Sequence, residues 1–218
     1  TLSPSSAASD VYKRQVWYCL LVLCGLSQGA VVKLLKTKNI SITKQAVSKW
    51  MIKWQKVIDW INTVPKKERK IIAVDETKIR INGKWAYLWA AIDVKTKEII
   101  AIEISWLRNG AIAKWFIQDI LKKCPNQKKI TIITDGAGWY PWACKQLGVK
   151  HRTVHGGLRN YIERFYKSFK SWFRAIGNSF VCRVNELKQA LQKACLWVGL
   201  WYNQLRYHDS IGGVPCLS

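Results

Sequence analysis

The sequence predicts an α/β fold, a mixed five-stranded sheet flanked by helices, preceded by a small all-α helix-turn-helix unit. Three observations carry that expectation. Residues before about 61 show helical spacing of apolar side chains, whereas from Ile71 onward short β-rich runs alternate with helical stretches. The order from Ile71 is three strands, helix, strand, helix, strand and then helices, which calls for one mixed sheet with helices on its faces. With 218 residues, 49% of them hydrophobic and 13 Trp, the chain can bury one catalytic-sized core plus a small appendage, but not two full domains.

Residues 1–15 are rich in Ser and Ala, lack an apolar period and read as an assembly scar, expected to be disordered. Residues 16–61 are expected to form the helix-turn-helix unit. The run Val16 to Leu26, preceded by Lys13 and Arg14, mimics a signal peptide, but a helix packing on that unit is the preferred reading. Ser27 is placed to cap a helix carrying Val31, Val32, Leu34 and Leu35, and Thr43 to cap a second with Ala46, Val47, Trp50, Met51 and Trp54 on one face. Lys44, Gln45, Ser48 and Lys49 are then expected on the exposed early turns, where a recognition helix meets base edges and phosphates in the major groove. A plain helical hairpin with solvated lysines is the alternative.

Residues 62–70, with Pro65 and a basic cluster, read as a linker, and 71–210 as the second domain. Ile71 to Ile81 is a strand, Asn82-Gly83 a tight-turn signal, and Trp85 to Val94 the returning strand of a hairpin. Lys95 to Lys97 turns into a third strand, Glu98 to Ser105. Asn109 caps a helix with Ile112, Trp115, Phe116 and Ile120 as its apolar stripe. Lys129 to Thr134 reads as a buried parallel strand ending on Asp135. A helix around Trp142 to Leu147, a strand near Val149 to Val154, and helices over about Leu158 to Ala175 and Asn185 to Tyr202 follow. That order fits a ribonuclease H-like domain.

Against 13 Asp and Glu stand 36 Lys and Arg, a formal charge of +23, and such self-repulsion points to a polyanion, nucleic acid first, as partner. The seven Cys form no CxxC pair and do not match the three His in metal-ligand spacing, so reduced buried thiols are expected rather than disulfides or zinc. No run of about twenty apolar residues could cross a bilayer. A cytoplasmic, nucleoid-associated protein without a membrane partner is the expectation.

Scarce acids make any gathering of carboxylates conspicuous. Asp75 lies amid apolar residues in the first strand, where an unpaired carboxylate is costly. Asp135 ends the fourth strand, with Gly136 leaving room for a close approach. Glu163 sits on the basic helix, which by crossing the sheet could bring it to the two aspartates. Such oxygen ligands suit two Mg²⁺ or Mn²⁺ ions serving in-line phosphoryl displacement. Each acid also has a plainer explanation: a strand-end hydrogen bond, a turn before glycine, and an ion pair with Lys167 at i+4. Asp93 and, below it, Glu76 are the substitutes; Glu76 points to the face opposite Asp75. His151 and His155 fit structural or phosphate-contacting roles better than metal ligation. Trp139 and Tyr140 read as core residues, with stacking on a distorted base as the alternative.

At these residues the sequence resembles the DDE transposases of small bacterial and archaeal insertion sequences, in the retroviral-integrase superfamily. The matching strings are VDETKIRINGKWAYLWAAID, TDGAGWYPWA, HRTVHGGLRNYIERFYKSFK and WYNQLRYHDSIGGVPC, and upstream LSQGAVVKLLKTKNISITKQAVSKWMIKW. The resemblance implies that Asp75, Asp135 and Glu163 are catalytic and hold two divalent ions, and that Lys170, seven positions after the glutamate, contacts DNA. Arg159, Arg164 and Lys167 are expected to position phosphates beside it. It further implies cleavage of element ends to expose 3′-hydroxyls, their joining to target DNA, and a homodimer or higher assembly on DNA. Glu163 follows Asp135 by 28 positions, a shorter spacing than is usual in that family. A degenerate DNA-binding protein and a ribonuclease H-like nuclease that never joins strands are the alternatives.

Overall fold

The computed structural model describes residues 15, 17–53, 67–157, 160–175 and 186–215. Residues 1–14, Trp54, most of the expected linker, Arg159 and the expected helix starts at Leu158 and Asn185 lie outside them. Helices α1 (17–23), α2 (Gln28–Lys36) and α3 (Lys44–Lys53) come first. The sheet strands are β1 (Ile71–Ile81), β2 (Lys84–Asp93), β3 (Ile99–Ser105), β4 (Thr131–Thr134) and β5 (Lys150–Thr153). Helix α4 (Gly110–Lys122) lies between β3 and β4, and α5 (Trp139–Gln146) between β4 and β5. The chain continues through α6 (Asn160–Ala175) and α7 (Glu186–Leu196), which runs on into a π-helical stretch, Trp197–Leu205.

The strand order is β3-β2-β1-β4-β5, with the first three antiparallel and β4 and β5 parallel to β1. The expected mixed sheet is therefore present, and local chemistry explains its joints. Asn82 and Gly83 both take positive φ, 47° and 83°, as a two-residue hairpin turn requires. Side-chain oxygens of Ser27, Thr43 and Asn109 accept the amides of Ala30, Ala46 and Ile112 at 3.0–3.1 Å, capping α2, α3 and α4. Removing one such cap typically costs about 1 kcal/mol.

Alternate residues of β1 face two separate cores. Ile72 and Val74 pack with Trp89, Phe116, Ile120 and Tyr140 beneath α4 and α5. Ala73, Ile79 and Ile81 pack with α6, α7 and the N-terminal helices. On α6 this buries Ile162, Phe165, Tyr166, Phe169, Trp172 and Phe173, one helical face, and leaves Arg164 and Lys167 on the other. Each such large side chain contributes about 1.5–3 kcal/mol by leaving water.

The run read as packing on the helix-turn-helix unit packs more widely. Tyr18, Cys19, Val22 and Leu23 share one core with α2, α3, α6 and α7. Indole N–H groups of Trp172 and Trp197 donate to the carbonyls of Val22 and Leu23 at 3.0 and 3.1 Å, satisfying the open C-terminal end of α1. Cys19, Cys24, Cys124 and Cys144 are free thiols. Among the described residues no helix is long and apolar enough to cross a membrane.

Three expectations on packing need correction. Ser48 is buried, 5% exposed, because it lies one residue past Val47 and three before Met51, inside the apolar arc of α3; it does not join Lys44, Gln45 and Lys49 on the surface. Trp115 is 53% exposed, and Ala113 and Ile117 fill the α4 stripe instead. Asp93 is no reserve for the site: it is buried and pairs with Arg69 at 3.0 Å, while the other guanidinium nitrogen reaches Glu98 at 2.8 Å. That triad ties the approach to β1 to the β2–β3 turn.

Candidate active site

Parallel pairing of β1 with β4 sets the site. Ala73 faces Ile133 across the pair and both face α6; two residues further along each strand come Asp75 and Asp135. By that register Asp135, just past the carboxyl end of β4, stands level with Asp75 in the middle of the longer β1, at the kind of strand end where open α/β sheets place ligands. Asp75 is 7% exposed, and its carboxylate accepts the Glu76 amide at 2.9 Å. Asp135 is half-buried and accepts the Ala137 amide at 3.0 Å, an Asx-turn that fixes the chain leaving β4.

Gly136 explains why only glycine follows Asp135. Its φ is +88°, and a Cβ there would lie 2.7 Å from Thr153 Cγ2 on β5. Beside it, Thr134 Oγ1 lies 2.9 Å from His151 Nε2, and burial holds that imidazole below its usual range. His151 is therefore a structural histidine, as expected.

Helix α6 supplies the second side of the site. Tyr166 donates its hydroxyl to the main-chain oxygen of Asp75, seating the helix on β1. Glu163 stands one turn earlier on α6 and is exposed; Lys170 stands one turn later and is half-buried. Burial and the Arg174 charge push the Lys170 ammonium down, and the Asp75 carboxylate partly offsets them. Lys170 is thus close enough to Asp75 to feel its charge, while Arg164 and Lys167 remain at the surface. Among the described residues no three His, Cys, Asp or Glu side chains are gathered tightly enough to grip an ion.

On the opposite face of β1, Glu76 is held by two partners the sequence reading did not assign to it. Tyr140 donates its hydroxyl to one carboxylate oxygen, and Arg108 reaches the other at 3.2 Å. Burial raises the Glu76 carboxyl above its ordinary value, Tyr140 and Arg108 oppose the rise, and Asp135 adds to it. Tyr140 is fully buried against Trp89 and Trp139, which settles its place as core rather than a stacking surface. Arg108 lies 4.8 Å from the Trp139 ring, so a cation and an aromatic face meet at the mouth of this second layer. No spacing rule could have paired Glu76 with Arg108, since the contact spans the meander.

A family model described as a DDE domain matches residues 70–202. An uncharacterised protein of Methanocaldococcus jannaschii is 41% identical over 129 residues, 59% of either chain. The transposase for insertion sequence-like element IS431mec of Staphylococcus aureus is 29% identical over 115 residues, 51% of this chain and 49% of its own. The matched region spans between 49% and 59% of these relatives' lengths. A chain of the simian T-cell lymphotropic virus intasome superposes with a TM-score of 0.50 at 16% identity, over 69% of this chain and 54% of its own. That likeness is one of fold, and the mixed five-stranded sheet flanked by helices that the sequence predicts is present, with strands one and four adjacent as expected.

Proposed function

This chain belongs to the DDE-domain family of insertion-sequence transposases, in the retroviral-integrase superfamily, and from that premise we propose that it cuts element-end DNA and joins the exposed 3′-hydroxyls to target DNA. The observation that carries the reading is the placement of Asp75, on β1, abreast of Asp135, just past the end of β4, beside the cationic face of α6.

Asp75, Asp135 and Glu163 are the proposed catalytic residues and the proposed ligands of two Mg²⁺ or Mn²⁺ ions. Their donor chemistry fits, since all three are hard carboxylate oxygens of the kind Mg²⁺ and Mn²⁺ take. Glu163, exposed on α6, completes the set from the helix side. Bound there, the ions would supply Lewis acidity at the attacked phosphorus and a counter-charge for the entering and leaving oxygens. The protein's own part is positional. The Asx-turn at Asp135 and the Tyr166 bond to β1 hold two carboxylates and one helix in fixed relation. Lys170, Lys167, Arg164 and Arg159 would grip phosphates around the scissile bond without reading sequence. Lys44, Gln45 and Lys49 on α3 would meet element-end DNA from the proposed helix-turn-helix unit, residues 16–61, with 71–210 as the catalytic domain. Two ends must be brought together, so the proposed working form is a homodimer or larger assembly on DNA in the nucleoid.

The test is a cleavage-and-joining assay on DNA carrying the inverted repeats that flank the gene, with Mg²⁺ or Mn²⁺, comparing the parent with Asp135→Asn. Joined products from the parent alone are expected. Metal-dependent cleavage that survives in Asp135→Asn sinks the assignment. Hydrolysis without joining would identify a nuclease, and salt-sensitive binding without cleavage a DNA-binding protein.

A further inference from the structure

The segment after α7 carries chemistry that the carboxylate site does not use. The π-helical stretch Trp197–Leu205 ends the helix and releases Arg206, Tyr207 and His208; π-turns of this kind occur often at functional sites. A backbone bond from the His208 amide to the Gly213 carbonyl, 2.8 Å, closes the segment into a small loop. Between this loop, the start of α6 and the β2–β3 turn lies a cavity of about 160 Å³, lined by Lys97, Tyr161, Arg164, Arg206, Tyr207 and His208. Asp209 is the acid of that lining.

Lys97 forms the floor. It is a non-glycine residue at φ 61°, 7% exposed, an expensive conformation for a lysine in a turn. Its ammonium donates to the Val94 carbonyl and lies 3.2 Å from the Tyr161 ring centroid. Among the described residues no carboxylate pairs with it, so a buried positive charge faces a cavity that Arg164 and Arg206 make more positive. Such a charge favours an anionic occupant. Arg206 is held in place by Ser168 at 2.9 Å and by the Tyr202 ring. Tyr207, 63% exposed, offers an aromatic face at the rim.

Cations at the floor and an aromatic at the rim match one chemical class, a nucleotide of unpaired DNA. A duplex phosphate could reach the cations, but a base leaves its stack to lie on Tyr207 at least cost when it is unpaired. We propose that this pocket captures a nucleotide of unpaired DNA, its phosphate against Lys97, Arg164 and Arg206 and its base on Tyr207. The inference rests on the reading that DNA is the partner. Because Tyr161 and Arg164 flank Glu163 on α6, the pocket would hold a strand beside the bond being processed.

Fluorescence anisotropy of the full chain with two oligonucleotides tests it, one a blunt duplex, the other the same duplex with a short unpaired 3′ extension. Tyr207→Ala is expected to weaken the extended oligonucleotide on the order of tenfold while blunt-duplex affinity stays within about twofold. Lys97→Met, which keeps the stem and removes the charge, is expected to lower the salt slope for the extended oligonucleotide by about one. Circular dichroism checks that both variants fold, and the surface position of Tyr207 keeps the test decisive if Lys97→Met does not. Equal weakening of both oligonucleotides, or none, overturns the pocket alone. A parent that binds neither oligonucleotide overturns the DNA reading of the whole chain with it.

Discussion

Gly136 is the point where fold and chemistry are most tightly joined, and replacing it by alanine separates two costs. The first is conformational. At φ +88° an L-residue occupies a sparsely populated region, which costs about 1–3 kcal/mol. The second is steric, since the new Cβ would meet Thr153 Cγ2 at 2.7 Å. Thr153 lies at the surface of β5 and can rotate, so relief through an off-rotamer side chain costs about 0.5–1.5 kcal/mol. Gly136→Ala should therefore lose about 1.5–4.5 kcal/mol of unfolding free energy, adding the two ranges. A urea titration monitored by tryptophan fluorescence reads this directly. Combining Gly136→Ala with Thr153→Ser removes Cγ2 and should restore the steric part only, leaving the double variant at least about 1 kcal/mol below Thr153→Ser alone. A Gly136→Ala protein within about 0.5 kcal/mol of the parent would refute the geometry assigned to the turn that presents Asp135.

Two further outcomes follow from buried charge. Arg69→Met strands Asp93 and Glu98 without their cation and should cost about 3–5 kcal/mol in the same titration; a loss under about 1 kcal/mol would show that the triad is not buried as described. Glu76 has a folded-state carboxyl raised above its unfolded value, so its contribution favours the native state below the ordinary value of about 4.5 and is lost as pH rises through the raised value. The parent's stability relative to Glu76→Gln should fall as pH increases across that window, and a difference that grows with pH would contradict the burial-dominated reading.

Much of this architecture was legible because it rests on local rules. Asn82-Gly83 admits few backbones other than a tight hairpin turn, and Ser27, Thr43 and Asn109 each stand immediately before a stretch of helical apolar spacing and cap the helix that starts at the next residue. Asp75 and Asp135 stood out because acids are scarce and each sits in or at the end of an apolar strand run. What sequence reasoning missed depends on distant partners. Ser48 looked solvent-facing because a hydroxyl is polar, yet its helical angle puts it between Val47 and Met51. Asp93 looked available as a substitute ligand because Arg69, its partner, lies 24 residues away in the expected linker. Helix α1 could be assigned as a helix, but not its mooring, since the indoles that bind its carbonyl end come 150 and 174 residues later. The cavity beside Lys97 likewise joins three segments that no periodicity relates.

The central claim is that Asp75 and Asp135 act as one cation site at the β1–β4 boundary. Titrating Mn²⁺ into the DNA-free protein, with binding followed by the electron paramagnetic resonance of free ion, tests that claim without requiring catalysis. The account predicts that Asp75→Asn and Asp135→Asn each weaken Mn²⁺ binding at least about tenfold and that the double variant is scarcely weaker than either single, as coupled ligands of one site should be. Binding unchanged by Asp135→Asn, or losses that simply add, would contradict it.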